Sequence, residues 1–223
     1  SFGVGGAWYM GRQGTVGAIG AVFSPCGRPY SMPPADRIDP AASAESFSPA
    51  FEDSRAAAAS AIHQGEAVVY PTDTVYGLGG DPTDADAVAR LFEIKGRPRS
   101  KPLSVGVADR DMLTSYVTPT DREAAFIARF LPGPVTVLFD RDGVFPDVLV
   151  DGQSTVGIRI PDNAVARELA RRAGPITATS ANESGTPSVR RVDALDATII
   201  DAVGAVVDTG ETPGGESTVV DVT

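Results

Sequence analysis

The order of apolar and polar runs along the chain predicts an α/β sandwich built on a mixed sheet. Two observations carry this. From about Phe51 onward, short apolar runs of strand length are interleaved with helix-period patterns. Four polar segments punctuated by Gly and Pro directly abut those runs: residues 71–80, 95–101, 155–161 and 179–188. No internal repeat is visible.

The elements follow in order. Glu52 to His63 reads as a helix closed by Gly65. Ala67 to Tyr70 is a short apolar strand that runs into the polar segment PTDTVYGLGG. Thr83 is read as the cap of a helix from about Asp84 to Ile94. Leu103 to Val107 reads as a buried strand. Thr120 and Glu123 form a capping box, T-x-x-E, for a helix ending near Phe130. Val135 to Phe139 and Thr155 to Ile160 are strands. Asn163 to Ala173 is a helix ended by Gly174 and Pro175. Ile176 to Thr179 is a strand leading into SANESG, and Ala205 to Val207 and Ser217 to Val222 are further strands. Residues 1–48 are rich in Gly, Pro, Ser and Ala with little periodicity. They read as a poorly ordered extension to a domain over residues 49–223.

Composition excludes several classes. The 223 residues carry 19 basic and 29 acidic side chains, a net charge of −10, which disfavours broad non-specific binding to nucleic acid or membrane surfaces. Cys26 is the only cysteine, so no internal disulfide forms and a cytoplasmic setting is expected. His63 is the only histidine, which argues against a structural zinc site or a Ser-His-Asp apparatus and places His63 at a helix end. No metal site is expected. No apolar run reaches the roughly 18 residues of a bilayer span. The apolar stretch from Thr15 to Phe23 is short and broken by Gly, and lacks the basic start of a signal peptide. Few lysines among many arginines and acids fit either a high-salt interior or GC-rich codon usage.

Against this acidic background one loop stands out. KGRPRSK holds both lysines of the chain, Lys95 and Lys101, with Arg97 and Arg99 between them. Four cations in seven residues call for an anion, and phosphate is the first candidate. Pro98 and Pro102 bias their preceding residues toward extended backbone, which would point Arg97, Arg99 and Lys101 the same way. Lys95 could instead end a helix and complement its dipole. In YPTDTVYGLGG, Thr72 and Thr74 offer hydroxyls beside glycines; in TSANESG, Ser180, Asn182 and Ser184 offer an anion cradle of backbone N–H groups, or an ordinary Asx turn. Arg159 ends an apolar strand, where it suits gripping a carboxylate or making a structural salt bridge. No GxxxxGK[ST] and no strand-linked GxGxxG occur, so neither a P-loop nor a Rossmann site is expected.

YPTDTVYGLGGD, IKGRPRSKPLSV, LPGPVTVLF, STVGIRIPD, GPITATSANESGTPS and GESTVVD, in this order, resemble the YrdC/TsaC-type threonylcarbamoyl-AMP synthases over about residues 52–223. The resemblance implies a twisted mixed-sheet α/β sandwich with a concave basic cavity. It implies a nucleotidyltransferase that makes threonylcarbamoyl-AMP and pyrophosphate from L-threonine, bicarbonate or CO₂, and ATP. A downstream threonylcarbamoyl transferase then modifies tRNA. It implies that Thr74, Arg159 and Ser217 bind threonine. Arg97, Lys101, Thr155, Ser180 and Ser188 would bind ATP, with Ala178 or its neighbour Thr179. Arg97 and Lys101 would take the triphosphate, with Mg²⁺ arriving on it and Lys95, Arg99 and Asn182 in support.

Two departures from the pattern appear. Gly106 stands where the family often has a histidine, and the sequence ends at Thr223, before an arginine and second domain found in longer relatives. The rival readings are an RNA-binding module and a paralogue acting on another amino acid or acyl acceptor.

Overall fold

The computed structural model describes residues 49–222. The expected extension over residues 1–48, with Cys26 and the Thr15–Phe23 stretch, lies outside them.

The elements are α1 (Pro49–His63), β1 (Val68–Pro71), β2 (Tyr76–Gly79), α2 (Ala85–Lys95), β3 (Ser104–Gly106), α3 (Arg110–Thr114), α4 (Asp121–Phe130), β4 (Val135–Asp140), α5 (Asp147–Val150), β5 (Thr155–Arg159), α6 (Ala164–Ala173), β6 (Ile176–Ser180), α7 (Ala197–Ala202), β7 (Ala205–Val206) and β8 (Thr218–Val220). The described residues form one eight-stranded sheet in the order β7-β1-β2-β6-β3-β5-β4-β8. The pairs β1–β7, β3–β5 and β4–β8 are parallel and the others antiparallel, so the expected mixed sheet is found.

Local chemistry explains most boundaries. In α4 the Thr120 hydroxyl accepts from the Glu123 N–H while the Glu123 carboxylate accepts from the Thr120 N–H, the reciprocal box the sequence announced. The Asn163 side chain caps α6 by accepting from Ala166 N. The cap of α2 is Asp84 rather than Thr83: the Asp84 carboxylate accepts from Asp86 N and Ala87 N, whereas Thr83 is occupied with Asp81. A carboxylate is the better acceptor at the positive end of a helix.

Alternation along the strands sorts the core into two faces. Val69, Leu78, Val105, Val137, Phe139 and Ile158 point to one face, which α2 and its neighbours seal. Val68, Tyr70, Ile176 and Ala205 point to the other, where α1 and α6 pack together. Those two helices cover only part of that second face. Beyond them the register brings Gly77 opposite Ser180, Ser104 opposite Ala178, and Gly106 opposite Arg159. This pavement of small residues leaves the sheet hollow, and the hollow is the cavity described next.

Strand β2 lies within the segment PTDTVYGLGG, which the sequence reading did not divide into elements. Its glycines serve packing. The Tyr70 ring lies across them, so that a Cβ on Gly77 would stand 3.1 Å from the ring and one on Gly79 only 2.7 Å from it.

Candidate functional site

The hollow is a cavity of about 340 Å³, within the range of small-molecule sites. Thr74, Arg159 and Ser217 line it together with Arg97, Ala178, Thr179, Ser180 and Ser188. Residues from five separate stretches of sequence therefore meet in one place. Thr155 lies on β5 two alternations before Arg159, half-buried on the same face but outside the cavity lining.

One wall is the β1–β2 connection. The Thr72 Oγ1 donates to Val75 O (2.7 Å), accepts from Thr74 N (3.1 Å), and lies 3.0 Å from Thr74 Oγ1. Since Thr72 has one hydroxyl proton and gives it to Val75, the Thr74 hydroxyl donates to Thr72. That leaves the Thr74 oxygen an acceptor toward the cavity.

Asp73, between the two threonines, pairs with Arg159: Nη2 to Oδ1 is 2.5 Å, and both side chains are only 8 % exposed. The sequence left open whether Arg159 grips a ligand or makes a structural salt bridge. The structure shows the bridge, on a side chain that also lines the cavity. Asp73 was not anticipated, and nothing in a single sequence links residues 86 positions apart.

Tyr70 forms the floor. It is buried and donates to Thr177 O at 3.0 Å, and burial pushes its phenol up to about 12, so it stays neutral near pH 7. A Cβ placed on Gly106 would lie 3.8 Å from both the Tyr70 hydroxyl and the Ala178 Cβ. A side chain there would enter the floor beside Arg159.

The basic loop differs from its expected form. Lys101 N donates to Pro98 O (3.0 Å), so the segment turns rather than runs extended, and its cations do not share one face. Arg97 lines the cavity, with its guanidinium folded onto the loop's own carbonyls: Nε to Lys101 O is 2.9 Å and Nη2 to Pro102 O is 3.1 Å. Arg99 and Lys101 are exposed and stand outside the cavity lining.

Lys95 is buried, 2 % exposed, and donates to the carbonyls of Ser180 and, at 2.6 Å, of Asn182. Burial, then the charge of Arg97, pulls its pKa from 10.5 to about 8. It fastens the end of β6 to the end of α2. The signal was in the helical periodicity: Ala87, Val88, Leu91, Phe92 and Lys95 fall on one stripe, and that stripe is the buried one.

SANESG does not form the anion cradle. Ala181 N donates to Tyr76 O, Asn182 N to Ser180 O and Ser184 N to Lys95 O, so these donors are spent. Asn182 is buried, and its amide nitrogen donates to Glu183 O (2.9 Å) and Thr186 O (2.7 Å), while its Oδ1 has no partner among the described residues, so the Asx turn is not formed either.

The last wall is a strap. Residues 207–217 run from β7 at one edge of the sheet to β8 at the other, and Gly215, Glu216 and Ser217 line the cavity on the way. Tyr76 anchors the strap. Its hydroxyl lies 3.0 Å from Asp208 Oδ1 and 2.7 Å from Gly210 O, and it accepts from Thr209 N. Gly214 N donates to Thr74 O (2.6 Å), which joins the strap to the threonine wall. Arg190 binds Thr212 O and pairs with Glu211.

Among the described residues no three His, Cys, Asp or Glu side chains gather as metal ligands, and no helix is long and apolar enough to cross a membrane. Glu216 is the one carboxylate of the cavity lining.

The model of the Sua5/YciO/YrdC family, described as "Telomere recombination", matches residues 60–223. The chain is 40 % identical over 171 residues to a threonylcarbamoyl-AMP synthase of Pyrococcus abyssi, covering 74 % of this chain and 50 % of that one. It is 39 % identical over 170 residues to a threonylcarbamoyl-AMP synthase of Bacillus subtilis, covering 74 % and 49 %. The crystal structure of P. abyssi Sua5 complexed with L-threonine superimposes with a TM-score of 0.70 at 37 % identity, covering 77 % of this chain and 51 % of that one. The chain thus spans about half the length of these relatives.

Proposed function

The chain belongs to the Sua5/YciO/YrdC family, and from this premise we propose that it is an L-threonylcarbamoyladenylate synthase. It would convert L-threonine, bicarbonate and ATP to threonylcarbamoyl-AMP, pyrophosphate and water, in the cytoplasm, and pass the product to a transferase that modifies tRNA. The observation that carries this reading is that Thr74, Arg159 and Ser217 converge with Arg97, Ser180 and Ser188 in one cavity.

The chemistry suits the residues. Threonine's amine adds to CO₂, forming a carbamate and releasing a proton. A carbamate oxygen then attacks the α-phosphorus of ATP, and pyrophosphate leaves. Positioning and neutralisation of phosphate charge dominate such a step, so a cavity of arginines and hydroxyls without histidine is adequate.

In this reading Arg159 takes the threonine carboxylate through the part of its guanidinium not tied to Asp73. The Thr74 oxygen, an acceptor, takes the substrate's amino or hydroxyl proton, and Ser217 closes over the same substrate from the strap. Arg97 meets the triphosphate inside the cavity, and the exposed Lys101, whose carbonyl holds Arg97, meets it at the rim. Ser180, Ser188, Thr155 and the Ala178–Thr179 backbone would hold the nucleoside and phosphates. Lys95 and Asn182 fix the loop that carries Ser180, and Arg99 adds charge outside. Mg²⁺ would ride on the triphosphate's own oxygens, since Glu216 is the lone carboxylate lining the cavity.

The test is pyrophosphate release that requires threonine, bicarbonate and ATP together. Arg97→Ala and Lys101→Ala are expected to abolish it with the thermal melt unchanged. Near wild-type release in both variants would overturn the triphosphate assignment.

A further inference from the structure

The Asp73–Arg159 pair has an unusual layout. Asp73 sits in the connection between β1 and β2, whereas Arg159 ends β5, and β6 and β3 lie between them in the sheet. Adjacent strands are about 4.8 Å apart, so the two side chains must reach toward each other across those strands. The small residues of the floor permit this. Gly106 is the register partner of Arg159, and Ala178 lies on β6 beside it. A Cβ on Gly106 would approach Ala178 and the Tyr70 hydroxyl. On this face β3 and β6 present Ser104, Gly106 and Ala178, all small, beside the larger Ile176.

The two unsatisfied atoms of the pair are informative. Asp73 Oδ2 and Arg159 Nε are both buried and without a hydrogen-bond partner among the described residues. Asp73 Oδ2 is closed off from the cavity, and Oδ1 is already bound to Arg159. Asp73 therefore touches nothing that enters the cavity and acts only through Arg159.

We propose that Asp73 is a positioning residue that sets both the direction and the effective charge of Arg159 toward the carboxylate of an α-amino acid. The oxygen of Asp73 fixes the guanidinium by Nη2, and with Nε buried this leaves Nη1 as the end held toward the cavity in a set orientation. Its negative charge opposes the incoming carboxylate, so the grip of Arg159 is weaker than that of an unpaired arginine in a dry site. The inference rests on the proposed reading of Arg159 as the carboxylate contact.

The two roles separate experimentally, because Asn keeps the acceptor oxygen and loses the charge, and Ala loses both. L-threonine binding to the full chain is measured by titration calorimetry for wild type, Asp73→Asn and Asp73→Ala, with ATP binding as control. Asp73→Ala is expected to raise the threonine Kd at least threefold, with formate restoring affinity. Asp73→Asn is expected to leave the Kd at or below the wild-type value, with ATP binding unchanged in both. A residue with a merely structural role would instead weaken both variants in parallel with their melting temperatures.

A threonine Kd for Asp73→Asn above wild type, or an Asp73→Ala Kd raised less than threefold, overturns the proposal. If Asp73→Ala does not fold, the Asn variant alone decides. If wild type binds ATP but no threonine, the reading of the cavity fails first, which is a distinct result.

Discussion

Arg159 is asked to be two things at once, the partner of a buried carboxylate and a contact for a ligand, and its substitutions should separate them. Arg159→Lys keeps a cation beside Asp73 but replaces the planar fork by a point charge. The expected result is a fold of near wild-type stability and a threonine KM raised about tenfold, roughly 1.4 kcal/mol, read from steady-state pyrophosphate release. Arg159→Ala leaves Asp73 buried and unpaired, which costs about 3 kcal/mol of stability and should appear as a lower denaturation midpoint. Lys95 makes a different statement, about pH. Its folded pKa is near 8 against an ordinary 10.5, with burial the main cause. Between those values the unfolded chain holds a proton that the folded chain has released, so stability rises with pH across that window. Urea midpoints of wild type and Lys95→Met at pH 8 and pH 10 test this: the wild type should gain stability relative to the variant over the interval, and a constant difference would refute it. The carbonyl contacts of Lys95 show what charge alone leaves open. A lysine in a basic loop looks like a ligand contact, and only its place on the apolar stripe of α2 reveals that it faces inward.

Elements with strong local signals were legible. The capping box of α4, the Asn163 cap of α6 and the apolar runs of β1, β4, β5 and β6 each rest on neighbours a few residues apart, and each lies where the chain places it. Thr120→Ala removes the acceptor for Glu123 N and should lower stability by about 1 kcal/mol in equilibrium denaturation, with catalysis unaltered. What the sequence did not disclose depends on contacts far along the chain. The short helices α3, α5 and α7 carry four to six residues each, too few for periodicity to register. Strand β2 is made possible by Tyr70, which packs flat on Gly77 and Gly79. A Cβ on Gly79 would stand 2.4 Å from Ile176 Cγ2 and 2.7 Å from the Tyr70 ring. Gly79→Ala must therefore push that ring off the cavity floor. The expected outcome is a loss of about 1–3 kcal/mol by overpacking, together with weaker threonine binding, whereas Gly80→Ala, a control whose Cβ would meet only ordinary contacts of 3.5 Å and longer, should leave binding intact. The same glycines that read as allowing close backbone approach thus let Tyr70 pack against β2.

At the scale of the molecule, the site depends on closure of the sheet by residues 207–217, which leave one edge strand and arrive at the other. A sheet with α1 and α6 over only part of one face would leave its small-residue floor open to water. The strap walls it on a further side and brings Ser217 into the same cavity lining as Thr74 and Arg159. It is anchored by the Tyr76 hydroxyl, which meets Asp208, Thr209 and Gly210; by Val207 N donating to Val69 O; by Arg190, which pairs with Glu211 and exchanges hydrogen bonds with Thr212; by the Thr136 hydroxyl donating to that of Ser217; and by Gly214 N donating to Thr74 O. Of these, the Arg190–Glu211 pair is half-exposed on both sides and so contributes little, about 0–1 kcal/mol. Tyr76, fully buried, is then the principal side-chain tie at the β7 end. Tyr76→Phe keeps the ring's packing and deletes that tie. Hydrogen exchange at Thr209 and Gly210 should accelerate at least tenfold in the variant while the strands under the cavity keep their protection. Threonine and ATP should both dissociate faster, because both proposed subsites would share the strap as a wall. Unchanged exchange at these two amides would mean that the strap is held by the rest of its contacts. Faster exchange with unaltered dissociation would mean that it does not close the site.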